Sequence, residues 1–397
     1  MGLSGKLCQN RWVYYPERQR ARMKKIASIL LITMILLLAA CGGEAIHDGS
    51  SPNVALLIAS RGDKGFNDSA VIGLNVSVVE HGTNLTVLEH ENNEANYPKV
   101  FMEAVNGRNH MFFTSSMMAG ILEEQAVRYQ SVKFLMYDGE IDWDRFTEYK
   151  KKYAAELKDK GEDKELYDNV FCIVYRANEV SFLAGYLAAS MSETGKIGFV
   201  GGMKIPNIED FVVGFEAGAR HKNPDIFYQV EYANSFSDLE KGKEIARGMI
   251  ENGVDIIFAA AGSVGLGVLD VVAEKNIKMI GVDADQYAFL MAEGKEDLAK
   301  CIITSAMKDI GNVLYGAVDN YTKREVITGK TRTIGLKEGG VSLAKNVYYK
   351  EIVPQAIQDE IDELERKIIE GEIEVPTVRP PIADDRQYVP PSEPDNP

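Results

Sequence analysis

Short apolar runs rich in β-branched and aromatic residues alternate along this chain with longer stretches of mixed polarity. "NVALLIAS" (53–60), "LTVLEH" (85–90), "HMFFTS" (110–115) and "VKFLMY" (132–137) read as strands. The stretches 68–81, 96–106 and 117–130 that follow the first three read as helices. A second series repeats the pattern, with strands at 170–175, 196–201, 226–232, 255–261 and 278–283. Its helices fall at about 178–192, 207–221, 238–252 and 264–275. Strand–helix alternation with nearly continuous apolar strands predicts an α/β protein whose parallel sheets are covered on both faces. Two such series predict two similar lobes. Ligands bind such sheets beyond the carboxyl ends of the strands, so both sets of strand ends can face one cleft.

The two ends of the chain follow other patterns. "IASILLITMILLLAA" (26–40) holds no charge, and its 15 residues fall short of the about 20 that a membrane-spanning helix needs. It fits the apolar core of a secretory signal, with Lys24 and Lys25 ahead of it and Met23 as the expected true start. Residues 1–40 are therefore read as a signal peptide. Leu38-Ala39-Ala40-Cys41 resembles the bacterial lipobox, in which the cysteine thiol is acylated, for example with palmitate, and becomes the first mature residue. Residues 41–51 then form a lipidated tether. Residues 144–168 are charged and helical in pattern, like a surface insertion, and 352–372 reads as one amphipathic helix. Residues 376–397 are a Pro-rich, acidic tail expected to be extended or disordered.

Charge narrows the classes. The chain carries 44 Lys and Arg against 59 Asp and Glu; residues 1–40 hold seven basic and one acidic residue, which leaves a net charge of −21 on the remainder. That balance excludes non-specific nucleic-acid binding and electrostatic docking on anionic lipid. Cys172 and Cys301 lie in apolar runs and read as small buried hydrophobes, with a disulfide between them as the alternative. The five histidines show no metal-ligand spacing, and His90 in "EHEN" reads as part of a solvated loop.

Candidate chemistry gathers at the expected strand ends. In "GDKGFNDSA" (62–70), Asn67 or Asp68 is a helix N-cap, and Phe66 stands where a ring can form a cleft wall or fold back on the core. Phe211 follows "GGMKIPNIED" (201–210) at the matching place in the second series, so two rings can sandwich a flat ligand or pack in the core. "AAAGSVGLG" (259–267) has the order G-x-x-G-x-G rather than that of a dinucleotide loop, so Gly262 reads as a place where backbone N–H groups meet a small ligand. Asp283 in "GVDADQ" can accept from two adjacent hydroxyls or cap a helix, and Lys308 in "TSAMKD" offers a cation beside it if the chain recrosses a hinge there. Enzyme signals are thin. "TGKT" (328–331) lacks the first glycine of a phosphate loop, and neither a nucleophile elbow nor a Ser/His/Asp set is present.

Segments 63–74, 177–189, 196–219, 255–286, 301–317 and 334–344 together resemble, in order, the basic membrane protein family of bacterial substrate-binding lipoproteins, which includes a purine nucleoside receptor. The resemblance implies a type I periplasmic-binding-protein fold: two Rossmann-like lobes with parallel sheets joined by a hinge. Their expected extents are 52–175 plus about 305–328, and 176–304 plus about 329–375. It implies that Phe66 and Phe211 stack on a purine and that Asp63 and Asn67 lie near base and sugar. Asp138 would hydrogen-bond the base edge, while Gly262, Asp283 and Lys308 would contact the ribose. It further implies delivery of a nucleoside such as guanosine, inosine or adenosine to the permease of an ABC importer at the outer face of the cell membrane, with no cofactor, no metal and no catalysis. "FFTSSMMAG" (112–120) departs from the glycine-rich turn usual in the family and, with the 144–168 insertion, would reshape the first lobe's wall. A sugar or signalling compound in the same fold, and an exported nucleoside hydrolase, are the alternative readings.

Overall fold

The structure, a computed structural model, describes residues 51–159, 169–325 and 329–379. The first series folds as β1 (Asn53–Ile58), α1 (Phe66–His81), β2 (Asn84–Glu89), α2 (Tyr97–Asn106), β3 (Met111–Ser115), α3 (Ala119–Arg128), β4 (Lys133–Tyr137), α4 (Trp143–Asp159) and β5 (Val170–Tyr175). The second follows as α5 (Ala177–Met191), β6 (Lys196–Gly201), α6 (Pro206–Lys222), β7 (Phe227–Tyr232), α7 (Leu239–Glu251), β8 (Ile256–Ala260), α8 (Ser263–Lys275) and β9 (Lys278–Asp283). The chain continues through α9 (Gln286–Ala292), α10 (Glu296–Ala299), β10 (Ile302–Lys308), α11 (Ile310–Thr322), β11 (Lys330–Ile334), β12 (Val341–Leu343), α12 (Val347–Ile352) and α13 (Gln355–Ile369).

Two six-stranded sheets result, in the orders β11-β5-β4-β3-β1-β2 and β12-β10-β9-β8-β6-β7. All pairings are parallel except β10 with β12. Central strands such as β3 and β8 are buried at every position, because helices cover both faces, whereas the edge strands β2 and β7 are partly exposed. In each sheet the chain reverses its direction of winding at one strand, β1 in the first and β6 in the second. Ligand crevices form at such switch points.

The chain passes between the sheets three times, at Arg176, Asp309 and Gly335. Two of these points differ from expectation. Residues 305–308, expected in the first lobe, complete β10 of the second sheet, and 330–334, expected in the second lobe, form β11 at the edge of the first. The Arg176 N–H donates to Ile334 O at 2.9 Å, and the Asp309 N–H to Gly340 O at 2.8 Å, which ties neighbouring crossings together. Helix α11 lies against α1 through a glycine pair, since a Cβ on Gly73 would stand 2.1 Å from Gly311 O.

The helix expected at 352–372 is α13, which begins after Pro354 at its N-cap, while Ile352 closes the separate short helix α12. Cys172 and Cys301 are both free and buried, in the outer cores of different lobes. The charged segment from 143 packs on the first lobe: Arg145 pairs with fully buried Glu123, and Lys152 lies 2.8 Å from Glu124. The signal, Cys41, residues 160–168 and the tail from 380 lie outside the described residues.

Candidate functional site

The eight residues singled out from sequence all line one cavity between the carboxyl ends of the two sheets. They do so in different ways. Asp63 is almost fully buried, and its carboxylate is occupied by its own loop. Oδ1 accepts from the N–H groups of Gly65 (3.1 Å) and Asp68 (3.2 Å), and Oδ2 from the N–H (2.9 Å) and Nδ2 (2.7 Å) of Asn67. Asn67 Oδ1 in turn accepts from the Ala59 N–H at 3.3 Å. Burial pushes the Asp63 carboxyl up, and these backbone donors oppose it. Asp63 thus serves the first turn of α1. Neither Asn67 nor Asp68 caps it: the helix starts at Phe66, and Asp68 folds back onto the N–H groups of Gly62 (2.8 Å) and Lys64 (2.9 Å).

Asp138 and Asp283 are built otherwise. One follows β4 and the other ends β9, and both hold the left-handed conformation, at φ 61° and 63°. That backbone turns each carboxylate off its strand end into the cavity. Lys308, the last residue of β10, places Nζ 2.7 Å from Asp138 Oδ2 and 3.9 Å from Asp283 Oδ1. Its side chain is 2 % exposed, so the charge is balanced inside the protein. Asp138 Oδ1 and Asp283 Oδ1 are buried without a hydrogen-bond partner. Burial pushes the Asp283 carboxyl up to about 7; Lys308 opposes this, and the charges of Asp138 and Asp63 add to it.

The two rings flank the same cation. Lys308 Nζ stands 4.8 Å from the Phe211 ring centroid and 5.7 Å from that of Phe66, within cation–π range of both. Phe66 leans on Tyr137 at 5.3 Å, and Phe211 meets Phe258 edge-to-face at 5.7 Å. Phe211 is therefore both core and cleft wall, which unites the two readings left open from sequence. Gly262, at φ 57° and ψ −134°, holds a backbone conformation that essentially only glycine adopts, and the next N–H, of Ser263, donates to Phe236 O at 2.9 Å.

Sequence reasoning missed Asn207 and Phe236, which also line the cavity. Asn207 Nδ2 reaches across from α6 to Asp138 O (2.5 Å) and Ser116 Oγ (3.2 Å). Its position just after a strand-end Gly201-Gly202 pair was the available signal. Ser115, Ser116 and Met117 line the cavity as the divergent turn implied, while Met118 is buried in the first lobe's core. His90 also lines it; burial pushes its imidazole down to about 4, so it is neutral at pH 7. The described part of the 144–168 insertion contributes nothing to the lining. No group of side chains among the described residues could hold a metal ion, and no described helix is long and apolar enough to cross a membrane.

Comparison with known proteins agrees with this architecture. Basic membrane protein A1 of Borrelia garinii subsp. bavariensis is 32% identical over 358 residues, which covers 89% of this chain and 96% of that protein. Basic membrane protein A of Borreliella burgdorferi is 31% identical with the same two coverages. Among solved structures, an ABC transporter solute-binding protein from Aeropyrum pernix K1 superposes with a TM-score of 0.66 at 23% identity, covering 82% of this chain and 94% of the other. One from Conexibacter woesei gives 0.62 at 21% identity, covering 82% and 99%. These structures establish the type I periplasmic-binding fold with its two Rossmann-like lobes. Residues 52–379 match the family described as ABC transporter substrate-binding protein PnrA-like, and the chain belongs to that family.

Proposed function

We propose that this substrate-binding protein captures a purine nucleoside between its lobes and presents it to the permease of an ABC importer. In this reading it is held at the outer face of the cell membrane by a lipid on Cys41, after removal of residues 1–40. The observation that carries the ligand class is the pairing of two rings with two unsatisfied carboxylate oxygens. Phe66 and Phe211 face a common space, and buried Asp138 Oδ1 and Asp283 Oδ1 need donors there. A flat base fills the space between rings, its N–H edge serves Asp138, and the ribose hydroxyls serve Asp283. Hydrogen bonds to charged groups contribute about 1.5–3 kcal/mol each, which is enough to prefer a ribonucleoside over a deoxy or base-free analogue. Lys308 pairs with Asp138 and opposes the burial that pushes the Asp283 carboxyl up. Closure about the three crossing segments traps the ligand.

Calorimetric titration with guanosine, inosine, adenosine, cytidine and ribose, with Phe66→Ala alongside, tests the proposal. Purine nucleosides binding at micromolar affinity or better, and lost in the variant, is the expected result. Ribose binding as tightly as inosine would sink the nucleoside assignment and favour a sugar receptor.

A further inference from the structure

The expected tail starts at residue 376, yet residues 375–379 are fastened across the second lobe. Asn178 Nδ2 donates to the carbonyls of Val375 (3.1 Å) and Pro376 (3.2 Å). Asp210, 1% exposed, uses both oxygens on this junction. Its Oδ2 accepts from the Asn178 N–H at 3.3 Å, and its Oδ1 from the Thr377 hydroxyl and the Val378 N–H. Asp210 immediately precedes Phe211, so the segment grips the same helical turn that carries the cleft's aromatic wall. At its end, Arg379 Nη2 donates to Asn207 Oδ1.

An Asn amide has an accepting side and a donating side. With Arg379 on the accepting side, the Asn207 NH2 group is turned toward the first lobe, where it donates to Asp138 O and Ser116 Oγ. Without that guanidinium both amide orientations are open, and one of them sets Oδ1 against the Asp138 carbonyl. We propose that residues 375–379 are a strap and that Arg379 is a positioning residue: it orients Asn207 so that the lobes are fastened at Asp138 when they close. The contact joins the two lobes, so it is expected to act on ligand release rather than capture. This builds on the nucleoside reading for its probe, though not for its geometry.

The test uses the full chain with inosine in stopped-flow and hydrogen exchange in buffer alone. Arg379→Ala is expected to raise the dissociation rate about tenfold at unchanged association rate, the scale of one charge-assisted hydrogen bond. Arg379→Lys, which keeps a donor, should recover most of that loss. In an Asn207→Ala background Arg379→Ala should add nothing, since the coupling runs through that amide. Equal dissociation rates with and without the guanidinium, or additive effects of the two substitutions, would overturn the proposal. If the unsubstituted protein fails to bind inosine, the nucleoside reading fails, and the strap is judged by exchange alone. There Arg379→Ala should speed exchange at 115–118 and 205–211 without lowering the thermal midpoint, and unchanged exchange rejects it.

Discussion

The loop after β1 and the pair of strand ends after β4 and β9 both bring buried aspartates to the cleft, and they spend them differently. Asp63 receives four hydrogen bonds from its own loop and has no capacity left for a ligand. Asp138 and Asp283 each keep an oxygen with no hydrogen-bond partner. Burial alone does not distinguish them, at 3%, 5% and 8% exposure. What distinguishes them is whether nearby backbone N–H groups point at the carboxylate. A helix start supplies such donors, whereas a left-handed strand end turns the carboxylate away from them. The first kind of aspartate builds the site and the second kind is available for binding.

Substitution should separate the two kinds, and the largest effect is expected at Asp283. Asp283→Ala removes the acceptor proposed for two hydroxyls, which predicts a loss of about a hundredfold or more in nucleoside affinity. The fold should not suffer, because the change also removes a buried carboxylate that burial disfavours. Calorimetry and urea denaturation on one preparation check both halves. Asp63→Ala should do the reverse. It strands three backbone N–H groups and the Asn67 amide, and should lower the unfolding free energy by about 2–4 kcal/mol. A variant at Asp63 as stable as the unsubstituted protein would end the distinction drawn here.

The pH dependence sharpens it further. Asp283 has a folded value of about 7 against an ordinary 3.8, so between these values the folded chain holds a proton that the unfolded chain has released. Its contribution to stability is therefore fully present below about pH 4 and is lost as pH rises through 7. Ligand hydroxyls that donate to this carboxylate require its ionised form. Affinity should then fall as pH drops below 7, by at most about tenfold per pH unit, and level off above it. Titrations from about pH 5 to about pH 8 should give a flat profile in Asp283→Ala. A flat profile in the unsubstituted protein would mean that Asp283 does not accept from the ligand.

These differences also mark what the sequence made legible. The central strands of both series were readable because each is an almost unbroken apolar run that parallel packing demands. β11, "KTRTI", and β12, three residues long, lie at sheet edges where the chain returns from far away, and no local period announces them. The crossing after 334 was misplaced for that reason, and the one after 308 because β10, "IITSAMK", mixes apolar and polar residues and was not read as a strand. Within the site, residue type at strand ends was enough to single out Phe66, Phe211, Asp283 and Lys308, while Asp138, on the same cavity, came from the family resemblance. It could not show that Asp63 is internally satisfied, because that depends on where backbone N–H groups point. Nor could it find Asn207, whose partners Ser116, Asp138 and Arg379 are distant in the chain.

The smallest effect belongs to the outer rim of the same loop. Lys64, held at φ 54°, pairs with Glu293 from the far lobe. Burial raises the Glu293 carboxyl, but hydrogen bonds from Lys64 and Lys295 outweigh it and hold it below the usual carboxylate range. Their side chains are 13% and 35% exposed, so solvent screens the attraction. Such pairs contribute about 0.2–1 kcal/mol, so Lys64→Ala should weaken binding by about two- to threefold in dilute buffer. The difference should vanish near 1 M salt, where the screening length falls to about 3 Å. In an Asp63→Ala background the substitution should have no effect at any salt concentration, because the loop that aims Lys64 is the structure Asp63 builds. A salt-sensitive loss surviving in that double variant would show that the rim holds its geometry without the buried carboxylate beneath it.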